Sequence, residues 1–176
     1  MTLARVLFWV ALAATAGVYG AMVGWSLPRV SAMAGGLVPF DMRPTGYTPG
    51  EAQAFVLALS DEGRGFYLNV QQGLDFVFPA LSALVLVWSF RWLSPGMMGR
   101  VLGLVAMLGS AFDYLENFSV QAMLLAGADG FTDRMAQVAN RYTLLKSLFV
   151  TLSLVALLGL LVAVFVRKIR KGSWHR

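Results

Sequence analysis

Cysteine is absent from this chain of 176 residues, which excludes disulfides, thiolate zinc sites and thiol redox chemistry. Histidine occurs once, as His175, and a single imidazole beside the end of the sequence does not build a haem or metal site. No cofactor is therefore expected. Charge is scarce as well: 13% of the residues are Asp, Glu, Lys or Arg, against roughly 25% in an ordinary soluble domain. No glycine-rich phosphate loop follows a strand-like run, and no polar segment is long enough to form a soluble domain of its own. Soluble catalysis, phosphate-loop nucleotide binding and sequence-specific nucleic-acid recognition find no support.

Apolar residues fill the space that charge leaves. The chain is 58% hydrophobic, with 12 Phe and 5 Trp, and its mean hydropathy is +0.68. Its long apolar runs cover 6–25, 70–92, 101–127 and 147–166. The first follows Arg5, the second closes on Arg91 and the Ser94-Pro95-Gly96 turn, the third starts after Arg100, and the last carries no charge. Each has the roughly 20 residues needed to cross a hydrocarbon core about 30 Å thick. The expected fold is an all-α integral membrane protein, a four-transmembrane-helix bundle forming a single domain over 1–176. The first run has a competing reading as a signal peptide, with Ala32-Met33-Ala34 imitating a cleavage site. A signal core spans only about 7–15 residues, and Arg29 intervenes, so an uncleaved signal anchor is expected.

Basic residues orient the spans. Arg167, Lys168, Arg170, Lys171 and Arg176 crowd behind the last span, and Arg5, Arg91 and Arg100 lie in short segments on the same side. Arg29, Arg43, Arg64, Arg134, Arg141 and Lys146 are diluted over longer stretches on the other. That density places both termini in the cytoplasm and makes the basic tail a topology anchor rather than a nucleic-acid patch.

The first outer loop is more than a linker. Phe40 to Tyr47 reads as irregular chain rich in turn residues. Thr48-Pro49-Gly50-Glu51 then combines an N-cap, a proline at the first helical position and a glutamate three residues after the cap. A short amphipathic helix over about 49–59 follows, with Ala52, Phe55, Val56 and Leu59 on one face suited to the membrane surface or the bundle top. Ser60-Asp61-Glu62 starts another helix, its acids favoured by the N-terminal dipole.

Asp75, Asp113 and Glu116 interrupt the apolar runs. An Asp at the centre of a spanning helix costs about 2.5–3.5 kcal/mol on insertion scales, so neighbours must compensate or the carboxyl must take a proton. At 1.5 Å rise per residue, Asp113 lies about 19 Å and Glu116 about 24 Å from the inner edge, with Asp75 about 24 Å and Lys146 about 30 Å up on their own helices. Independent counts thus converge on one layer in the outer half of the bilayer. Tyr67, Gln71 and Asp75 recur every four residues, as do Asp113, Asn117 and Gln121, and such spacing shares a helix face. Ser82 continues the first stripe, Glu116 and Ser110 adjoin the second, and Thr143, Ser147 and Thr151 line a weaker one beside Lys146. Pro79 removes a backbone donor just after Asp75 and frees a carbonyl. The candidate site is Asp75, Asp113, Glu116, Asn117, Gln71, Tyr67, Tyr114 and Lys146.

Two readings compete for these groups. As interhelical glue, Asp75 and Glu116 pair with Lys146 or Arg141 while Asn117 and Gln121 bridge helices, and bonds of this kind contribute only about 0.6 kcal/mol on average in membranes. As a pocket, they bind a ligand or handle protons, because three carboxyls outnumber the cations in reach.

Asp75-x-x-Phe78-Pro79, Asp113-x-x-Glu116-Asn117 and Thr143-x-x-Lys146, with Arg43-Pro44-x-Gly46-Tyr47-x-x-x-Glu51, resemble a pattern in a family of small bacterial four-span inner-membrane proteins. The resemblance covers most of the chain and implies a bacterial inner-membrane protein without implying an activity. A looser one is to the emopamil-binding and sigma-2 receptor fold, which implies carboxylates holding amphiphilic amines or sterols. The best functional expectation is an outer-half carboxylate site that binds a small amphiphilic or cationic ligand or a lipid. In that site Asp75 and Glu116 pair with charge, Asn117 and Gln71 orient the ligand, and Tyr67, Tyr114 and Phe78 form walls. An alternative is an accessory or structural subunit, a homo-oligomer or part of a larger membrane complex, docking through the small residues from Ala11 to Gly17 and from Gly20 to Gly24. A second alternative is a membrane enzyme using paired carboxyls as general acid and base, although nothing marks a nucleophile. Proton-coupled transport would need a dimer.

Overall fold

A computed structural model describes residues 2–172; His175 and Arg176 lie outside the described residues. We number the helices α1 (Leu3–Met33), α2 (Pro49–Ala58), α3 (Asp61–Leu93), α4 (Met97–Gly130) and α5 (Asp133–Gly172). A 3₁₀ turn, Phe40–Met42, lies in the first loop. Four of these helices, all but α2, are long and apolar enough to cross a membrane, compatible with a multi-pass membrane protein. They run well past the apolar stretches because capped polar turns extend them. Ser60 accepts a hydrogen bond from the Gly63 amide at 3.0 Å, so α3 starts at Asp61 rather than near Val70. At the other extreme, regular helix in α4 breaks at Gly127, whose φ of +61° suits a residue without Cβ. That is where the apolar stretch was expected to end.

Ring contacts fix the up-down-up-down topology. Phe8 meets Trp92 at 4.8 Å between centroids, Tyr19 meets Phe78 at 5.7 Å and Trp25 meets Phe66 at 5.7 Å, so α1 runs antiparallel to α3 over its length. Phe112 stacks on Phe149 at 5.5 Å and ties α4 to α5. Glycines allow close approach: Gly103 faces Val87 on α3, and Gly109 faces Phe149 and Val150 on α5. The packing order is α1 on α3, α3 on α4, and α4 on α5, while α1 and α5 share no extended interface. The bundle is therefore open along one side.

Two helices contain a π-helical turn that the sequence analysis did not anticipate, at Met22–Ser26 in α1 and Tyr67–Gln71 in α3. In α1 the cause is legible. Pro28 has no amide hydrogen for the Gly24 carbonyl, and the turn before it reorganises so that the Leu27 amide bonds to the Met22 carbonyl.

Residues 34–60 form a packed cap. The Thr48 capping box is realised: Glu51 N–H donates to Thr48 Oγ1 at 3.2 Å and Thr48 N–H donates to Glu51 Oε2 at 2.7 Å. These bonds hold the exposed Glu51 carboxyl below its ordinary range. Helix α2 packs on α4 and α5, which settles its apolar stripe on the bundle top. Phe55 sits at the centre, 4.9 Å from Phe40 and 6.1 Å from Tyr67 between ring centroids. Around these rings are Val56, Met123, Leu124, Ala136 and Ala139, all buried. Gly46 has φ +87° and lies against Asn140, where a side chain would collide. Outside, the pattern inverts: Trp9, Phe76, Phe118, Leu125, Leu158 and Phe165 are exposed while Gln71, Asp75, Asp113, Glu116 and Thr143 are buried.

Replacing Phe55 with Ala removes the keystone of the cap and should destabilise the protein by about 3–5 kcal/mol. Thermal unfolding in detergent reads this loss; an unchanged midpoint would mean that the cap contributes nothing to the fold.

Candidate functional site

The buried polar groups sort into two networks on either side of a cavity. The first is built on Lys146. Its Nζ lies 3.1 Å from Asp113 Oδ1 and forms a second ion pair with Glu116 Oε2. Thr143 donates to Glu116 Oε1 at 2.6 Å, and the Tyr47 hydroxyl adjoins Thr143. Tyr47 is itself held by its backbone amide, which donates to Asn140 Oδ1 at 2.8 Å. Burial pushes the Tyr47 phenol well above its ordinary value, so it stays a neutral donor. A spacing of three residues on α4 presents Asp113 and Glu116 to the same ammonium.

The second network is built on Asp41, in the 3₁₀ turn of the cap. Tyr67 donates its phenolic hydrogen to Asp41 Oδ2, and Gln71 Nε2 donates to Asp41 Oδ1 at 3.4 Å. Ser26 on α1 donates to Gln71 Oε1. Both π-helical turns thus supply this network, Ser26 from one and Tyr67 and Gln71 from the other, in keeping with the tendency of such turns to occur at functional sites.

Asp75 lies between the two networks. Its backbone carbonyl is freed by Pro79, and Asn117 Nδ2 donates to it at 3.1 Å. Gln72 Nε2 returns a bond to the Asn117 carbonyl at 3.1 Å. Asp75 is only 3% exposed, and it lines the same cavity as Asp41. Its Oδ2 is buried without a hydrogen-bond partner. Among the described residues, Lys146 is the basic group that ion-pairs at this level, and its pairs go to Asp113 and Glu116.

Asp41, Asp75, Asp113 and Lys146 line a cavity of about 430 Å³, within the roughly 300–1,000 Å³ range of small-molecule sites. Its apolar wall includes Tyr19, Met22, Val23 and Leu27 from α1, Phe78 from α3 and Val150 from α5. Two carboxyl groups on one largely apolar cavity favour a proton or a cation near them. An apolar cavity ending on such a pair can therefore accept a cation with a hydrophobic body, or pass a proton.

The sequence candidates are largely brought together, with different roles. Asp75, Asp113, Lys146, Tyr67 and Gln71 converge as expected. Glu116 lies behind Lys146 in the ion-pair network, and Asn117 serves the Asp75 backbone. Tyr114 stands apart: its hydroxyl donates to the Phe76 carbonyl at 2.9 Å and its ring packs on Phe76. Arg141 is exposed and Ser82 bonds to the Pro79 carbonyl at 3.0 Å, so neither joins the site. Asp41, Ser26 and Tyr47 were missed. The only signal for Asp41 is an acid beside Phe40 in an otherwise apolar loop. Compared with protein-family models, curated proteins and solved structures, the chain matches none.

Lys146→Met should leave Asp113 and Glu116 buried without a counter-charge and destabilise the protein by about 3–5 kcal/mol. Adding Asp113→Asn and Glu116→Gln should restore much of that loss. Unfolding midpoints of the three proteins read the effect, and a Lys146→Met variant as stable as the parent would sink the assignment.

Proposed function

We propose that this chain is a multi-pass inner-membrane protein, both termini cytoplasmic, that binds a cationic amphiphile in a carboxylate-lined cavity in the outer half of the bilayer. The observation that carries the reading is Asp75. It is buried, its Oδ2 has no hydrogen-bond partner, and it opens, with a second carboxyl, Asp41, on a largely apolar cavity. An isolated charge in such a place is costly, and a bound ammonium would compensate it with both charge and a hydrogen bond. The glue reading accounts well for Asp113 and Glu116, whose charge Lys146 shares. Asp41 and Asp75 form no ion pair with a basic group among the described residues, although Lys146 lines the same cavity.

The vacant acceptor also narrows the ligand chemistry. Oδ2 accepts a hydrogen bond, and a protonated primary, secondary or tertiary amine supplies both a donor and the compensating charge, whereas a quaternary ammonium supplies the charge alone. The apolar wall would hold an alkyl or aryl body, and Asp41, fixed by Tyr67 and Gln71, would take a further N–H. The inner-membrane and bacterial assignments belong to the same proposal, supported by the density of basic residues and by the resemblance noted above.

Dodecylamine should stabilise the protein in lipid nanodiscs, by about 2.7 kcal/mol at a free concentration one hundred times Kd, or several degrees in Tm for a chain of this size. Dodecanol should not, dodecyltrimethylammonium should act much more weakly, and Asp75→Asn should fold yet lose the response. Equal stabilisation of the Asp75→Asn variant, or by dodecanol, would remove the proposal.

A further inference from the structure

The cavity has walls on all four long helices, but its side between α1 and α5 is not closed by helix packing. Residues from both helices line it there: Tyr19 and Val23 from α1, Ser147, Val150 and Thr151 from α5. Tyr19, Val23 and Val150 are also 55%, 39% and 36% exposed, respectively. The apolar lining therefore continues without a break onto the outer, lipid-facing surface of the bundle.

The top of the cavity is partly exposed as well, Met42 by 47%, but it is held differently. Asp41, Met42 and Pro44 roof it, and that roof is tied down at several points. Tyr67 and Gln71 hold Asp41. The Arg43 guanidinium donates twice to the Val38 carbonyl, at 2.9 and 2.7 Å. Phe40 is buried in the cap core. Opening this roof would break a packed aromatic cluster and several hydrogen bonds, whereas parting α1 from α5 breaks no extended interface. The π-helical turn of α1 adds to the asymmetry, because Met22 and Val23 of that turn form the wall at the gap.

We infer that the ligand enters sideways, through the gap between α1 and α5, its ammonium running inward to Asp75 and Asp41 and its chain left lying between the two helices. This rests on the amine-binding reading above and adds to it a ligand class and a route. The ligand is a single-chain amine that partitions into the bilayer. Short water-soluble amines lack the chain that the α1 and α5 walls hold.

The absence of native cysteine permits a direct test. Ala16→Cys and Leu154→Cys lie one helical turn beyond the lining residues, at spacings of three or four from Tyr19 and from Val150 and Thr151, hence on the same faces. Joining them in nanodiscs with a short bis-maleimide should slow both entry and release of dodecylamine by about tenfold or more, while its Kd stays within about threefold of the unjoined protein. Unchanged rates in the joined protein would overturn the lateral route while leaving amine binding intact. Failure of dodecylamine to bind the native chain at all would instead remove the binding reading and the route with it. A second measurement needs no substitution: dodecylamine carrying a diazirine at the far end of its chain should label α1 and α5 of the native protein. Labelling confined to residues 34–60 would contradict lateral entry.

Discussion

Lys146 meets two buried carboxyls at once, and its direct ion pairs go to Asp113 and Glu116 rather than to Asp75 or Asp41, which line the same cavity. By pairing with Asp113 and Glu116 it fastens α5 to α4 at the level where apolar helices would otherwise have only shape to align them. Buried pairs of this kind add little net stability over a well-packed apolar core, but removing one partner is strongly destabilising. Their value here is register. They set α5 against α4 so that Thr143 reaches Glu116, and the cap then docks through Tyr47 and Asn140 on the same helix. Asp75 and Asp41 are left in the wall of the same cavity, outside those ion pairs.

The position of Asp75 is itself built from a defect. Pro79 deletes one helical hydrogen bond, and Asn117 fills the vacancy from the neighbouring helix. That cross-helix bond fixes the α3 backbone at the residue whose side chain enters the cavity. The Asp41 side is held by a comparable irregularity, the two π-helical turns, which bring Ser26, Gln71 and Tyr67 into one hydrogen-bonded line. Rigid polar scaffolding on both sides of an apolar space is the arrangement expected of a preorganised binding site.

Much of this was legible in the residues, for identifiable reasons. The four long apolar helices show in apolar runs, and the α2 start shows in Thr48-Pro49-Gly50-Glu51, because those signals are local. Convergence of Asp75, Asp113 and Lys146 could be counted from helical rise, since the four helices are nearly regular. Asp41 could not be found that way. It lies in irregular chain outside every apolar run, and only the folded cap brings it to Asp75. Tyr114 failed for the opposite reason: its place next to Asp113 suggests proximity, yet adjacent residues on a helix point about 100° apart, and its ring turns outward to Phe76. The π-helical turns escaped because they shift register by a single residue.

The central claim is that the Asp41–Asp75 pair, and not the Lys146 network, receives the ligand's charge. Solid-state NMR with ¹⁵N-dodecylamine and ¹³C-labelled aspartate in lipid bilayers measures this directly. The account predicts nitrogen–carbon contacts of hydrogen-bonding range to the carboxyl carbons of Asp41 and Asp75, with none to Asp113. A contact to Asp113 in place of that pair, or no contact to any aspartate, would contradict it.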